Sequence, residues 1–277
     1  MNYKTRIIVF GALLAIMSCK DNSKKEIEVQ TVKEEAIINF QNKGHELVYH
    51  MVEKVGNYQK LRSKKDVVYT YTYTTPDGKA DISTEKYIFE GELSYGKYKQ
   101  HQRTLPQLEG TMEQAYNGKD YWLKVNGKLV NDTTALKRVM FSRPTNFYWF
   151  TMFQKLLDPN LNYDYLGEKE VNLKTFDIVN VSFESKNEKP TDIYQLYINK
   201  ETGLVDQFLF TVADFGVMEE PFLMQMDYEE VDGFLIPSKR KYKKSTWNAD
   251  VTDGPWILVN WSNIEFDNSL KKEVFMK

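Results

Sequence analysis

Two segments decide the fold of this chain: YQLYINKETGLVDQFLFT (residues 194–211) and MQMDYEEVDGFLIPSKRKY (residues 224–242). Each holds two runs rich in β-branched and aromatic residues, which favour strands. Turn residues separate the runs, Lys200-Glu201-Thr202-Gly203 in the first segment and Asp232-Gly233 in the second. This arrangement is typical of β-hairpins, so we predict two consecutive hairpins here.

The strand pattern continues on both sides of these hairpins. Pro76-Asp77-Gly78-Lys79 is a turn signal, and Asn126-Gly127 is a strong short-range marker of a hairpin. Candidate strands lie near 67–75, 82–90, 93–101, 111–117, 120–125, 128–131, 163–167, 175–184, 192–199, 204–213, 222–231, 234–244 and 255–266. We expect ten to twelve strands, mostly in meander order. A sheet of this size must twist, curl or close, because a long flat edge invites aggregation.

Two helical segments accompany the strands. Within residues 133–158 we predict a first helix that ends near Arg143, a break at Pro144, and a second helix after it. The second helix is apolar almost all round, which is typical of a helix buried in a core, and it would plug a curved sheet or gate a ligand cavity. Residues 35–56 repeat apolar side chains at three- and four-residue steps and predict an amphipathic helix that ends at Gly56.

The N-terminus predicts a lipoprotein. Lys4 and Arg6 precede the apolar run IIVFGALLAIM (residues 7–17). This run is shorter than the roughly 20 residues of a membrane-spanning helix, and it suits a signal peptide. Ile16-Met17-Ser18-Cys19 places an aliphatic residue at −3, a small residue at −1 and a cysteine at +1, as in a lipobox. We therefore predict a signal peptide over residues 1–18 and lipidation of Cys19, with palmitate among its acyl chains.

The segment after the anchor predicts a tether. Residues 19–35 carry mixed charge and few large apolar side chains, so we expect a flexible link to a single domain over residues 36–277. Lys20 stands where an aspartate retains enterobacterial lipoproteins in the inner membrane, which favours the outer membrane, on its periplasmic face or at the cell surface. The formal net charge of −2 becomes −4 without the two cations of the signal peptide. This charge gives no general attraction to nucleic acid.

Few residues point to metal chemistry or to a nucleophile. Cys19 is the one cysteine in the sequence, and there are three histidines. His45 and His50 are five residues apart, so they do not share the helix face that a zinc-binding pair needs. Neither a serine-nucleophile elbow nor a glycine-rich phosphate loop is present in the sequence. We expect no catalytic residue, no metal and no cofactor.

The charged groups on and beside the strands allow more than one interpretation. Asp77 with Asp81, or Glu229-Glu230, would be the candidate carboxylate pairs for glycoside cleavage, but acids beside turns are usually solvated. The basic run at residues 239–244 predicts a charged face exposed to solvent or an edge strand protected by lysine. A patch that binds phospholipid head groups is the functional alternative.

The layout over residues 66–270 resembles the lipoprotein carrier superfamily typified by LolA and LolB. The matching positions are hairpin residues: Asn199, Thr202, Gly203, Leu204, Tyr228, Val231, Gly233, Ile236 and Pro237. More narrowly, the layout resembles Bacteroidota outer-membrane lipoproteins placed near that superfamily. The resemblance implies a mainly β (α+β) fold, a strongly curved, half-open antiparallel β-barrel covered and plugged by helices, whose apolar hollow holds acyl chains. LolA is a soluble carrier, so an anchored chain is closer to LolB.

Composition agrees with an apolar hollow, because the 18 Tyr, 16 Phe, 5 Trp and 10 Met residues supply side chains that adapt to irregular apolar shapes. We predict a non-enzymatic, membrane-anchored protein that binds or transfers an acyl chain or other apolar ligand. The predicted contact residues are Phe147, Trp149, Phe150, Phe153, Tyr71, Tyr73, Phe208 and Phe210. Which alternate strand residues face inward stays open. Two alternatives also stay open: an envelope hydrolase acting on glycan or peptide, and a scaffold lipoprotein that binds other envelope proteins. The sequence names no protein partner.

Overall fold

One large antiparallel sheet dominates the structure. The computed structural model describes residues 38–185, 189–251 and 253–277, and Phe40–Lys277 form one compact unit. Within the described residues the sheet has thirteen strands, one more than the upper end of the predicted number. The strands are β1 (Asp66–Thr74), β2 (Ala80–Ile88), β3 (Leu93–His101), β4 (Met112–Tyr116), β5 (Tyr121–Val125), β6 (Lys128–Leu129), β7 (Leu161–Val171), β8 (Lys174–Phe183), β9 (Ile193–Asn199), β10 (Val205–Val212), β11 (Val217–Val231), β12 (Phe234–Lys244) and β13 (Ile257–Phe266).

The N-terminal predictions lie outside the described residues. These are the signal peptide over 1–18, the lipidation of Cys19, and the tether over 19–35. Of the second compact unit, Met1–Asn39, the structure describes residues 38 and 39, which belong to no helix or strand.

The sheet consists of two meanders joined side by side. Its order is β6-β5-β4-β3-β2-β1-β13-β12-β11-β10-β9-β8-β7, so the first strand pairs with the last in the middle of the sheet. In that pairing Tyr71 stands opposite Trp261. The edge strands β6 and β7 do not pair with each other in the described part of the chain, so the sheet is not closed. The predicted fold, a curved and half-open antiparallel barrel with helices, is confirmed.

Local turn chemistry sets the hairpins where the sequence predicts them. Asn126 and Gly127 both have positive φ angles, 49° and 76°, between β5 and β6. Asp232 and Gly233 show the same pair, 51° and 78°, between β11 and β12. Positive φ at both central residues is the geometry that matches the right-handed twist of the flanking strands.

Helix α1 (Lys43–Val55) is shorter than the helix predicted over residues 35–56. The side chain of Asn42 accepts a hydrogen bond from the amide of His45, 3.0 Å away, so it caps the first turn and the helix begins after it. The helix ends at Gly56, as predicted, where φ is +94°. Its buried face packs on the sheet, and a second short helix, α2 (Tyr58–Ser63), follows without having been predicted.

Helix α3 (Thr133–Thr151) crosses from one edge of the sheet to the other, because it connects β6 to β7. The predicted break at Pro144 is wrong, since the helix runs through it. The proline removes the amide that would bond to the carbonyl of Met140, but Met140 is exposed, so water can reach that carbonyl. The hydroxyl of Thr145 donates to the carbonyl of Phe141 at 2.6 Å, and tertiary contacts of Arg143 hold the same turn.

Candidate functional site

A cavity of about 680 Å³ lies between α3 and the inward-facing side chains of the sheet. Its wall includes residues of α3 and of strands on both sides of the β1–β13 seam. Aromatic residues are the largest class in this wall: Tyr71, Tyr73, Tyr98, Phe141, Tyr148, Trp149, Tyr194, Phe210, Phe215, Phe222, Tyr242 and Trp261. The volume falls within the roughly 300–1,000 Å³ typical of small-molecule sites. The interior is therefore only partly filled by the protein's own side chains.

Helix α3 presents two different faces to the sheet. Val139, Arg143, Phe147 and Phe150 recur at helical spacing and are buried against the strands. Arg138, Ser142, Thr145 and Trp149 recur at the same spacing on the side that lines the cavity. One face of the helix thus fills part of the space enclosed by the sheet, and the other face covers the part that remains as a cavity.

Four of the eight predicted contact residues line the cavity: Tyr71, Tyr73, Trp149 and Phe210. The other four lie in the packed core beside it: Phe147, Phe150, Phe153 and Phe208. On β1 the odd-numbered residues face inward. Tyr69 stacks on Phe150 in the core, with 4.9 Å between ring centroids, and Tyr71 and Tyr73 line the cavity. Whether any of the eight contacts a ligand stays a prediction.

Arg240 is the residue that the sequence analysis missed. It lies on β12, lines the cavity, and has only 6% of its surface exposed. The guanidinium carbon sits 3.6 Å from the centroid of the Trp261 ring and 5.7 Å from that of Trp149. Burial lowers the pKa of Arg240 to about 10, so the side chain remains charged at neutral pH.

Arg240 has no acidic partner and no hydrogen-bond acceptor among the described residues. Its Nε is buried without a partner, and so is Nε1 of Trp261, the ring against which it packs. No carboxylate of the described chain lies within ion-pairing distance of its guanidinium. Two buried donors on one cavity wall therefore lack an acceptor, which is rare in folded proteins because it costs free energy.

Two of the predictions for the basic run at residues 239–244, a face exposed to solvent and an edge strand, are wrong for Arg240. Strand β12 is not an edge strand, because β11 and β13 pair with it on either side. Lys239 and Lys241 are exposed. Arg240, which lies between them, is buried on the same face of β12 as Phe234 and Ile236. The two-residue period of a strand was the signal that could have separated Arg240 from its lysine neighbours.

The other buried charges of the cavity wall have partners. Arg103 pairs with Asp81, with 3.0 Å between Nη1 and Oδ2, and its guanidinium lies 3.6 Å from the centroid of Tyr73. Asp192 accepts hydrogen bonds from the amide of Ala213 at 2.7 Å and from the hydroxyl of Thr211 at 3.1 Å. Burial raises the pKa of Asp192.

The arrangement does not favour hydrolysis. None of the histidines lines the cavity, and His45 stacks on Tyr163 instead, at 4.8 Å between centroids. Asp77 lies in an exposed turn and pairs with Lys79. Asp81 is buried and pairs with Arg103 instead, so the two acids do not form a carboxylate pair. The described residues contain no group of three or more histidines, cysteines or acids placed to hold a metal ion. Their helices also include none with the length and hydrophobicity to span a bilayer.

Comparison with known proteins finds similarity in solved structures. No protein-family model matches the chain, and no curated protein matches it. A DUF1329 family protein from Desulfovibrio piger is 13% identical, with a TM-score of 0.50 over 84% of this chain and 95% of that one. A LolA superfamily protein from Nitrosomonas europaea is 10% identical, with a TM-score of 0.48 over 84% and 97%. The lipoprotein LppX from Mycobacterium tuberculosis is 7% identical, with a TM-score of 0.31 over 82% and 97%.

Identities this low concern the fold alone. The expectation of a Bacteroidota source stays a prediction. The chain has the curved, unclosed sheet covered by a helix that the sequence predicted.

Proposed function

We propose that this protein is a membrane-anchored lipoprotein that binds or transfers an acyl chain or other apolar ligand in the hollow of its half-open barrel. The observation that carries the proposal is the partly empty cavity under α3 and its aromatic wall. Burying apolar surface away from water is favourable by roughly 25 cal/mol per Å². A chain-like ligand in this cavity would leave water together with the rings that line it.

The route into the cavity supports exchange of the ligand. Phe215 is 62% exposed and lies at the cavity wall, with its ring 5.0 Å from that of Phe141 on α3. An exposed phenyl ring beside an apolar opening suits contact with a lipid or with an acyl chain. In the proposed role Cys19 carries the lipid anchor, and the outer membrane is the proposed location, on either its periplasmic or its outer face.

The proposed role is non-enzymatic. A hydrolase would need a nucleophile and base or a carboxylate pair in the cavity, whereas the buried acids of its wall are held by Arg103 and by backbone and hydroxyl donors. A scaffold lipoprotein would be expected to fill its interior, which this protein does only in part. The cavity therefore favours ligand binding over both alternatives.

The test is to fill the cavity. Val259 is 5% exposed and lines the cavity from β13, and its neighbour Leu258 is 42% exposed. We expect Val259→Trp to remove most of the lipid that co-purifies with the full-length chain, measured by native mass spectrometry and lipid extraction. Leu258→Trp is the matched control and should retain that lipid.

Wild-type protein that carries no lipid and does not respond to an acyl-chain probe would contradict the proposal. So would equal lipid content in the Val259→Trp and Leu258→Trp proteins.

A further inference from the structure

The cavity wall has one buried charge without an ion-pair partner among the described residues, Arg240, whereas Arg138, which also lines the wall, is only half-buried. Among the described residues, the acids that reach the wall are Asp81, Asp192 and Asp214. The first is paired with Arg103, the second accepts hydrogen bonds from Thr211 and Ala213 at the end of β10, and the third is exposed. Arg240 has none of these as a partner. A site that bound only hydrocarbon would be better served by an apolar residue at this position.

The surroundings of Arg240 suit an anion rather than a neutral group. A guanidinium presents its donors in a planar fork that matches the oxygens of a carboxylate or a phosphate. Of the guanidinium nitrogens only Nε is buried without a partner, so Nη1 and Nη2, which have no acceptor among the described residues, are the donors left for the cavity. A ligand oxygen here would accept hydrogen bonds from these two terminal nitrogens.

An apolar path leads away from this charge. The ring of Trp149 lies 5.1 Å from that of Phe210, which in turn stacks on Phe222 at 5.4 Å. Phe215, whose ring is 5.0 Å from that of Phe141, also lines the cavity and is exposed to solvent. A buried cation at one end and an apolar lining toward the rim match a molecule with a charged head and a hydrocarbon tail.

We propose that the cavity binds an amphiphile whose anionic head group, a carboxylate or a phosphate, pairs with Arg240. The inference rests on the proposed function and narrows its ligand class.

The test uses the full-length chain in phosphatidylcholine nanodiscs. The probes are cis-parinaric acid and its methyl ester, and binding is followed by energy transfer from tryptophan to the polyene. The acid should bind about ten- to a hundredfold more tightly than the ester, as expected for hydrogen bonds to a charged group. Arg240→Met should weaken binding of the acid to the level of the ester, and Arg240→Lys should restore part of the difference.

The matched control is Lys241→Met, which removes the same charge from the next residue of β12, on the opposite, exposed face. It should leave both affinities unchanged. Competition by laurate and by dodecyl phosphate, each compared with dodecanol, distinguishes a fatty acid from a phosphorylated lipid as the source of the head group.

The outcomes separate this inference from the proposed function. Equal binding of acid and ester to the wild-type protein would overturn the role of Arg240 and leave an apolar-ligand protein standing. Binding of neither probe would overturn both. Because the ester comparison needs no variant, the inference stays testable even where Arg240→Met does not fold.

Discussion

Replacing Arg240 with methionine should stabilise the ligand-free protein, although it removes a side chain of the proposed binding site. Arg240 is a buried cation without an acidic partner in the described chain. Removing an unpaired buried charge relieves a desolvation cost that no neighbouring group offsets in full. Methionine keeps an unbranched, flexible side chain that can pack against the Trp261 ring.

The size of the effect follows from the shifted pKa and from the ring contacts. Burial lowers the pKa of Arg240 from the usual value of a guanidinium to about 10. At about 1.4 kcal/mol per pKa unit, the charged form is disfavoured by about 3 kcal/mol. Cation–π contact with Trp261 and Trp149 returns about 1–2 kcal/mol of this. We therefore expect the free energy of unfolding to rise by about 1–2 kcal/mol, which raises Tm by roughly 2–8 °C in a domain of this size.

The assay is thermal unfolding of delipidated protein at pH 7, followed by circular dichroism. Lys241→Met is the control, and as an exposed substitution it should change stability by no more than about 0.5 kcal/mol. The pH dependence gives a second test. Because the pKa of Arg240 is lower in the folded than in the unfolded state, its cost is fully present below pH 10. It disappears as the pH rises from about 10 toward the usual pKa of a guanidinium, so the gap between the variant and wild type should shrink there.

A lower Tm for Arg240→Met than for wild type would refute this reasoning. That result would mean that the contacts with the two indole rings outweigh desolvation, and Arg240 would then be a structural residue. A gap that stays constant through pH 10–12 would also contradict the argument, since the charge of Arg240 would not be its source.

Three further predictions concern other parts of the chain. Arg143→Met should lower the free energy of unfolding by about 3–5 kcal/mol in urea titrations, because it strands Glu85 in a fully buried ion pair with 2.8 Å between Nη1 and Oε2; an unchanged midpoint would contradict this. Pro144→Ala should raise Tm, with up to about 3 kcal/mol available from restoring the helical amide, and a lower Tm would show that packing depends on the proline ring. Cys19→Ala should abolish labelling with radioactive palmitate and release the chain from the membrane fraction, whereas Ser18→Ala, which keeps a small residue before the cysteine, should retain both.

The strands could be predicted because the information that specifies them is local. Alternation over five to ten residues and turn pairs such as Asn126-Gly127 are both visible in the sequence, and the structure has strands at all of the predicted places. The pairing of β1 with β13 is different, since Tyr71 and Trp261 are 190 residues apart and no local signal brings them together. Local pattern therefore defined the two meanders but not the seam between them.

The continuity of α3 could not be predicted for a similar reason. Pro144 disfavours a helix locally, and its cost is offset by contacts that only the folded sheet supplies. Ser94 of β3 donates to the carbonyl of Arg143 at 3.2 Å, and Glu85 of β2 holds the guanidinium of the same residue. Tertiary contacts override local propensity at this point of the chain.

The site was half visible in the sequence. An aromatic run such as 147–150 shows that rings are available but not which face they take, and Phe147 and Trp149 differ by about 200° around a helix. One therefore packs in the core while the other lines the cavity. Arg240 was not singled out because its lysine neighbours on the outer face give the whole run the composition of a segment exposed to solvent.

The cavity and its charge are best explained together. Proteins close-pack their interiors, and a hollow of about 680 Å³ with an unpaired cation departs from both close packing and polar satisfaction. Chance could leave either defect, but a methionine at position 240 would remove the charge, and larger side chains at other positions of the wall would fill the space. Departures of this kind are expected at functional sites, where stability is given up for a ligand. If Arg240→Met is indeed more stable when empty and loses the preference for an acid over its ester, the two defects have one cause, which is the ligand that completes the fold.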